Sequence, residues 1–153
     1  MFPIHIKGRI ELPDTTPEQA AVIADRIVAA LVAVRASGVE CRANRITFRG
    51  GIFRMVFNWN VLAAVSHGVV DVQSGSKPMV DYTFYCWEML AFVMLPILFV
   101  VLHTSINESP LVRFGIPVFI FLWLFGVNYF VARFRLPAFL RDAINACEVG
   151  WAK

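Results

Sequence analysis

The sequence predicts an α+β cytoplasmic domain (β-α-β-β-β, an antiparallel sheet with one long helix), a two-helix transmembrane hairpin and a C-terminal amphipathic helix. Three observations carry this reading. Hydrophobic residues fill 58% of the 153 positions and charged residues only 16%, where an ordinary soluble domain is roughly a quarter charged. The apolar excess is gathered into two stretches, residues 83–102 with Glu88 as their one charge and residues 114–132 with none. The first 80 residues instead alternate polar and apolar positions and carry 9 of the 14 Lys and Arg. A disordered chain is excluded, because such chains are poor in apolar residues.

The domain division follows: residues 1–81 as the cytoplasmic domain, 82–103 as the first span, 104–113 as a short outer loop, 114–132 as the second span, and 133–153 as a cytoplasmic amphipathic tail. Ile4, Ile6, Ile10 and Leu12 alternate with His5, Lys7, Arg9 and Glu11, the period of a half-buried strand that Pro13 ends. Thr16 reads as a helix N-cap, with Pro17 at the first helical position and Gln19 placed to complete a capping box. The helix runs to about Ser37 and stops at Gly38, with Ala20, Ile23, Ile27, Ala30, Leu31 and Val34 as its core face. Asp25, Arg26 and Arg35 argue against a third span, since each charge is costly at bilayer depth.

Strand patterning resumes at Arg45–Arg49, at Phe53, Met55, Phe57 and Trp59, at Val70 and Val72, and at Val80, Tyr82 and Phe84, with a candidate extra strand near Ala63–Val65. Gln73 to Lys77 reads as a hairpin turn. A domain of this size holds a modest core, so contact with the membrane, the tail or another subunit should help to stabilise it.

Both apolar stretches reach the roughly 20 residues that a helix needs to cross a hydrocarbon core about 30 Å thick. Neither shows a polar face. The alternation at the N-terminus is unlike a cleavable signal peptide. Basic residues collect on the cytoplasmic side of membranes. The Arg-rich N-terminal segment and the tail with Arg133, Arg135, Arg141 and Lys153 therefore put both termini in the cytoplasm of a multi-pass protein of the inner (plasma) membrane. Asn107-Glu108-Ser109 in the outer loop is read as a chance sequon. In the tail, Phe139, Leu140, Ala143, Ile144 and Cys147 gather on one side, with Pro137 in the first turn. That face suits either the membrane surface or the sheet.

Glu88 and Asn128 form the candidate intramembrane polar pair. On antiparallel spans they fall at similar depth, and a hydrogen bond between them could bind a cation, relay a proton or hold helices together. The structural alternative is that Glu88 snorkels to the headgroups beside Tyr82, Tyr85 and Trp87. Arg49, Arg54, Phe53, Phe57, Trp59, Arg133 and Arg135 form a candidate set of basic and aromatic residues for the membrane interface. The aromatics among residues 53–59 serve equally well as sheet core. Pro96 and Pro117 are read as shaping the spans, and Gly126 as a point of close helix approach.

His5, His67 and His103 are read as lying far apart, at a strand, a loop and a span end, and Cys41, Cys86 and Cys147 form no metal spacing. No catalytic residue, metal site or cofactor is assigned. The expected function is a non-enzymatic membrane protein whose cytoplasmic domain is an interaction or self-assembly module. The expected partners are the lipid bilayer and a protein partner or further copies of the chain, and not nucleic acid. The alternative is a subunit of an oligomeric channel or transport complex that uses Glu88 and Asn128.

Overall fold

The computed structural model describes residues 5–51, 62–75, 77–103 and 109–146. Five strands form one antiparallel sheet: β1 (His5–Glu11), β2 (Ser37–Arg42), β3 (Arg45–Arg49), β4 (His67–Gln73) and β5 (Met79–Tyr85), in the order β1-β5-β4-β3-β2. The helices are α1 (Pro17–Ala33), α2 (Trp87–His103) and α3 (Leu111–Asn145). The α+β class is therefore observed, with a strand that sequence patterning missed. That strand, β2, reads SGVECR and shows no clean alternation, because as an edge strand it is exposed at almost every position. It pairs with β3 through a two-residue turn in which Ala43 (φ 46°) and Asn44 (φ 66°) are both left-handed, the geometry that tight hairpins favour. The expected strand over Phe53–Trp59 lies outside the described residues. The candidate strand at Ala63–Val65 is instead part of a turn whose Val65 N–H donates to the Leu62 carbonyl.

One face of the sheet is apolar and covered. Ile6, Val80, Tyr82, Phe84, Val70, Val72, Ile46 and Phe48 pack against Ala20, Ile23, Ala24, Ile27 and Leu31 of α1, and against Ala132, Leu136, Leu140 and Ile144 of α3. Gly68 sits between Phe48 and Phe84, whose rings are 5.9 Å apart. A Cβ there would come within 2.4 Å of the Phe48 ring, so the residue must be glycine.

The capping box forms as expected: the Gln19 N–H donates to Thr16 Oγ1 (3.3 Å) and the Thr16 N–H to Gln19 Oε1 (2.9 Å). The helix ends earlier than expected, before Gly38. Arg35 takes the left-handed conformation (φ 62°), and the Ala36 and Arg35 N–H groups bond back to the Leu31 and Val32 carbonyls. That pairing is a Schellman stop. Gly38 (φ 56°) lies instead at an irregularity in the β2–β3 register.

The C-terminal half departs most from expectation. Residues 82–85, assigned to the first span, are the end of β5, so α2 keeps only 17 residues. Among the described residues, α3 alone is long and apolar enough to cross a membrane by length and composition. It is 35 residues long and joins the expected second span to the expected tail without a break. Pro137, read as the start of a separate helix, lies inside it. An interior proline costs about 3 kcal/mol. Leu136, Leu140 and Ile144 below it are buried in the core, and each buried side chain of that size returns about 1.5–3 kcal/mol. Two π-helical segments, Leu111–Gly115 and Leu122–Val127, interrupt the α-helical backbone. Pro117 follows the first and has no N–H to offer the residue 113 carbonyl. Gly126 has open space where a Cβ would stand, and no other helix among the described residues approaches it closely.

Candidate functional site

The second face of the sheet is polar, and α1 and α3 do not cover it. Alternation along each strand sends odd-numbered residues of β1, β3, β4 and β5 to this side. Strand register then lines them up in rows. At the end of the sheet next to α2 the row is His5, Tyr85, His67 and Arg49. The His67 ring stacks on Tyr85 at 4.2 Å and 12°, with His5 tilted against the other side at 6.2 Å. Further along, Arg9 Nε donates to Asp81 (2.8 Å), which also accepts from Gln73 Nε2 (3.2 Å). That bond, and then the Asp81 charge, raise the Arg9 pKa above its ordinary value. Arg45 faces Asp71 across β3 and β4 at 4.0 Å.

A cleft of about 910 Å³ opens at the α2 end of this face. Its wall is Thr47 and Arg49 of β3, His67 and Val69 of β4, Ser37 and Glu40 of β2, and Trp87 and Glu88 from the first turn of α2. The corner is held by backbone bonds. The buried Ser66 hydroxyl accepts from the Glu88 N–H (2.9 Å), the Ser66 N–H donates to the Tyr85 carbonyl (2.7 Å), and the Gly50 N–H donates to the Ser66 carbonyl (3.0 Å). A Cβ at Gly50 would strike the Val65 carbonyl oxygen. Ser66 thus satisfies one of the amides that the start of a helix leaves unpaired, and it ties α2 to the sheet.

Glu88 is therefore a residue of the junction. The span reading placed it inside the membrane, but α2 begins only one residue before it, and it lines the cleft. Asn128 has a separate role. Its Nδ2 donates to the Leu124 carbonyl of its own helix (2.6 Å), while its N–H bonds to the Phe125 carbonyl at the end of the second π-helical segment. The structure does not join Glu88 to Asn128 by a hydrogen bond.

Of the basic and aromatic set, Arg49 enters the cleft. Arg133 and Arg135 are exposed on α3 beside the exposed Phe130 and Phe134. Phe53, Arg54, Phe57 and Trp59 lie outside the described residues. The expectation that the histidines lie far apart is corrected, since His67 opens β4 and shares Tyr85 with His5. The signal was present but weak: Ser66-His67-Gly68 resembles a turn, and only the inward-facing role of Gly68 makes it strand. Cys86, assigned to the first span, is fully buried between β5 and α2, and burial pushes its thiol pKa up to about 11.

Chemically, the cleft offers one guanidinium, the Glu88 carboxylate, an imidazole and a half-exposed indole, while the Glu40 carboxylate is paired with Arg42 (3.1 Å). Its hydroxyl nearest the corner, Ser66, is 4% exposed and occupied by the Glu88 amide. Among the described residues, no three His, Cys, Asp or Glu side chains gather closely enough to hold a metal ion. The arrangement suits binding of a polar group with both signs of charge. No family model matches the chain, and no curated protein or solved structure is significantly similar to it.

Proposed function

We propose that the chain is a small, non-enzymatic integral-membrane protein whose cytoplasmic α+β domain is an interaction or self-assembly module held at the inner face of the plasma membrane by two spans. The observation that carries this is the continuity of α3. Thirty-five residues make a rod of about 52 Å at 1.5 Å per residue, some 20 Å more than a hydrocarbon core of about 30 Å. The early part of the rod exposes Leu111, Phe114, Val118, Phe119, Leu122 and Trp123, while its later part buries Ala132, Leu136, Leu140 and Ile144 in the domain core. An apolar surface so large and contiguous needs a lipid or protein cover.

Both termini on one side is the topology that best suits the chain path. α2 leaves the sheet at Tyr85, and α3 returns beside it, where the Tyr129 hydroxyl donates to the His5 carbonyl (3.3 Å). The 17 residues of α2 reach about 26 Å, the short end of the spanning range. Arg133 and Arg135 follow the apolar part of α3, as cytoplasmic anchors do. The channel or transport reading has less behind it, because the Asn128 amide is engaged within its own helix.

Cysteine labelling tests the topology. Cys41 is exposed on β2 and Cys86 is buried. In a Cys147→Ser background, a membrane-impermeant maleimide should modify Cys41 only after cells are permeabilised, and alkaline carbonate should not release the chain from membranes. Labelling of Cys41 in intact cells would reverse the orientation, and release by carbonate would remove the spans.

A further inference from the structure

The cleft at the α2 end of the sheet has a composition that narrows what it can hold. Its formal charges are one Arg (Arg49) and two Glu (Glu40 and Glu88), and Glu40 is already paired with Arg42 beside the cleft (3.1 Å). A simple anion would face the Glu88 carboxylate, and a simple cation would face the Arg49 guanidinium. A ligand with both a phosphate and an ammonium satisfies both. Arg matches phosphate through its planar fork of donors, and the His67 ring edge offers a further polar contact. Glu88 is an acceptor suited to an ammonium, and Trp87, half exposed in the first turn of α2, presents an aromatic surface that attracts cations. The volume of about 910 Å³ lies in the usual range for small-ligand sites of roughly 300–1,000 Å³.

Position decides the source of such a ligand. The cleft lies where β5 passes into α2, with Trp87 at the very start of that helix. Trp favours the headgroup level of a bilayer. In the two-span reading, on which this inference rests, that level is the inner leaflet. We propose that the cleft binds the headgroup of a zwitterionic aminophospholipid, with the phosphate on Arg49 and His67 and the ammonium on Glu88. The lipid enters sideways from the inner leaflet while its acyl chains stay in the bilayer. The domain thereby reads the headgroup composition of the membrane that anchors it.

The test uses the full chain in nanodiscs of equal parts phosphatidylethanolamine, phosphatidylglycerol and phosphatidylcholine with matched acyl chains. Lipid retained on the released protein is read by native mass spectrometry. Wild type should retain phosphatidylethanolamine about tenfold over the other two, as expected for hydrogen bonds to charged groups. Glu88→Gln should bring it level with phosphatidylcholine. Arg49→Gln should lose it, and Arg49→Lys should restore part of it. Folding of each variant is checked by protection of Cys86 from alkylation. Equal retention of the three lipids by wild type overturns the inference, as does a preference for phosphatidylglycerol or a preference that survives both sets of variants. Alkaline carbonate extraction of the same preparation separates the two failures. A chain that stays in the membrane without lipid preference overturns this inference alone, and a chain that is released overturns the span reading with it.

Discussion

Arg35 ends α1 in a conformation that costs an L-residue with a Cβ roughly 1–2 kcal/mol, and yet its backbone completes the stop with two hydrogen bonds. Arg35→Gly should therefore raise stability by about 1 kcal/mol, seen as a higher thermal midpoint in detergent, with the gain reduced by the greater freedom of glycine in the unfolded chain. Sequence pattern favoured Gly38 as the stop because glycine is the commonest residue there. Which residue turns left-handed was instead set by where Leu31 has to enter the core. At Cys86, burial holds the thiol protonated up to about pH 11, whereas an unfolded cysteine ionises near 8.5. The folded state thus keeps a proton that the unfolded state releases, and stability falls as pH rises from about 9 toward 11. Cys86→Ala should flatten that part of the pH–stability curve. Under native conditions at pH 8 iodoacetamide should modify Cys41 and leave Cys86 intact, since the thiolate is the reactive form. Rapid modification of Cys86 would contradict its burial.

At the scale of the element, α3 is one helix with two surroundings, exposed along its early part and packed into the core along its later part. Its buried positions Ala132, Leu136, Leu140 and Ile144 recur every four residues, the spacing that keeps one face toward a neighbour. Leu140 is fully buried, so Leu140→Ala should cost about 2–5 kcal/mol. A comparable substitution at the exposed Leu122 should leave the stability of the sheet domain nearly unchanged. Chemical denaturation followed by tyrosine and tryptophan fluorescence in detergent distinguishes the two. The amphipathic face of this segment was legible in sequence, down to Leu140 and Ile144. The junction at Pro137 was misread because proline is locally a helix-starting residue. Its interior placement is stabilised only by packing that a local pattern does not contain. β2 was illegible for the opposite reason: an edge strand exposed at nearly all its positions carries no alternation to read.

For the whole molecule, the sheet domain and the candidate membrane segment share a helix, so neither is complete alone. A chain ended after Arg135 keeps every strand and both apolar stretches but loses Leu136, Leu140 and Ile144. It should lose the protease resistance of the sheet domain while remaining membrane-bound. Limited trypsin digestion of membranes, compared with full-length protein, reads the difference, and unchanged resistance would show that α3 is dispensable for the fold. The candidate cleft is a feature of the same scale. Its residues come from β2, β3, β4 and the start of α2, separated by up to about 50 positions in the sequence, and no spacing rule links them.

Local chemistry alone determined the α+β class, the capping box at Thr16 and Gln19, the half-buried alternation of β1, β3, β4 and β5, and the concentration of apolar residues that marks α3 as a candidate membrane helix. These depend on period, turn residues and hydrophobicity, which are written in neighbouring positions. Tertiary structure decided the rest: that the tail covers the sheet and does not lie apart from it, that α1 stops at Arg35, that Glu88 faces a cleft and Asn128 its own backbone, and that His67 and His5 meet over Tyr85. Each of these depends on which surfaces exclude water together. That is settled by strand register and helix packing between residues far apart in the chain, where a single sequence carries no local signal.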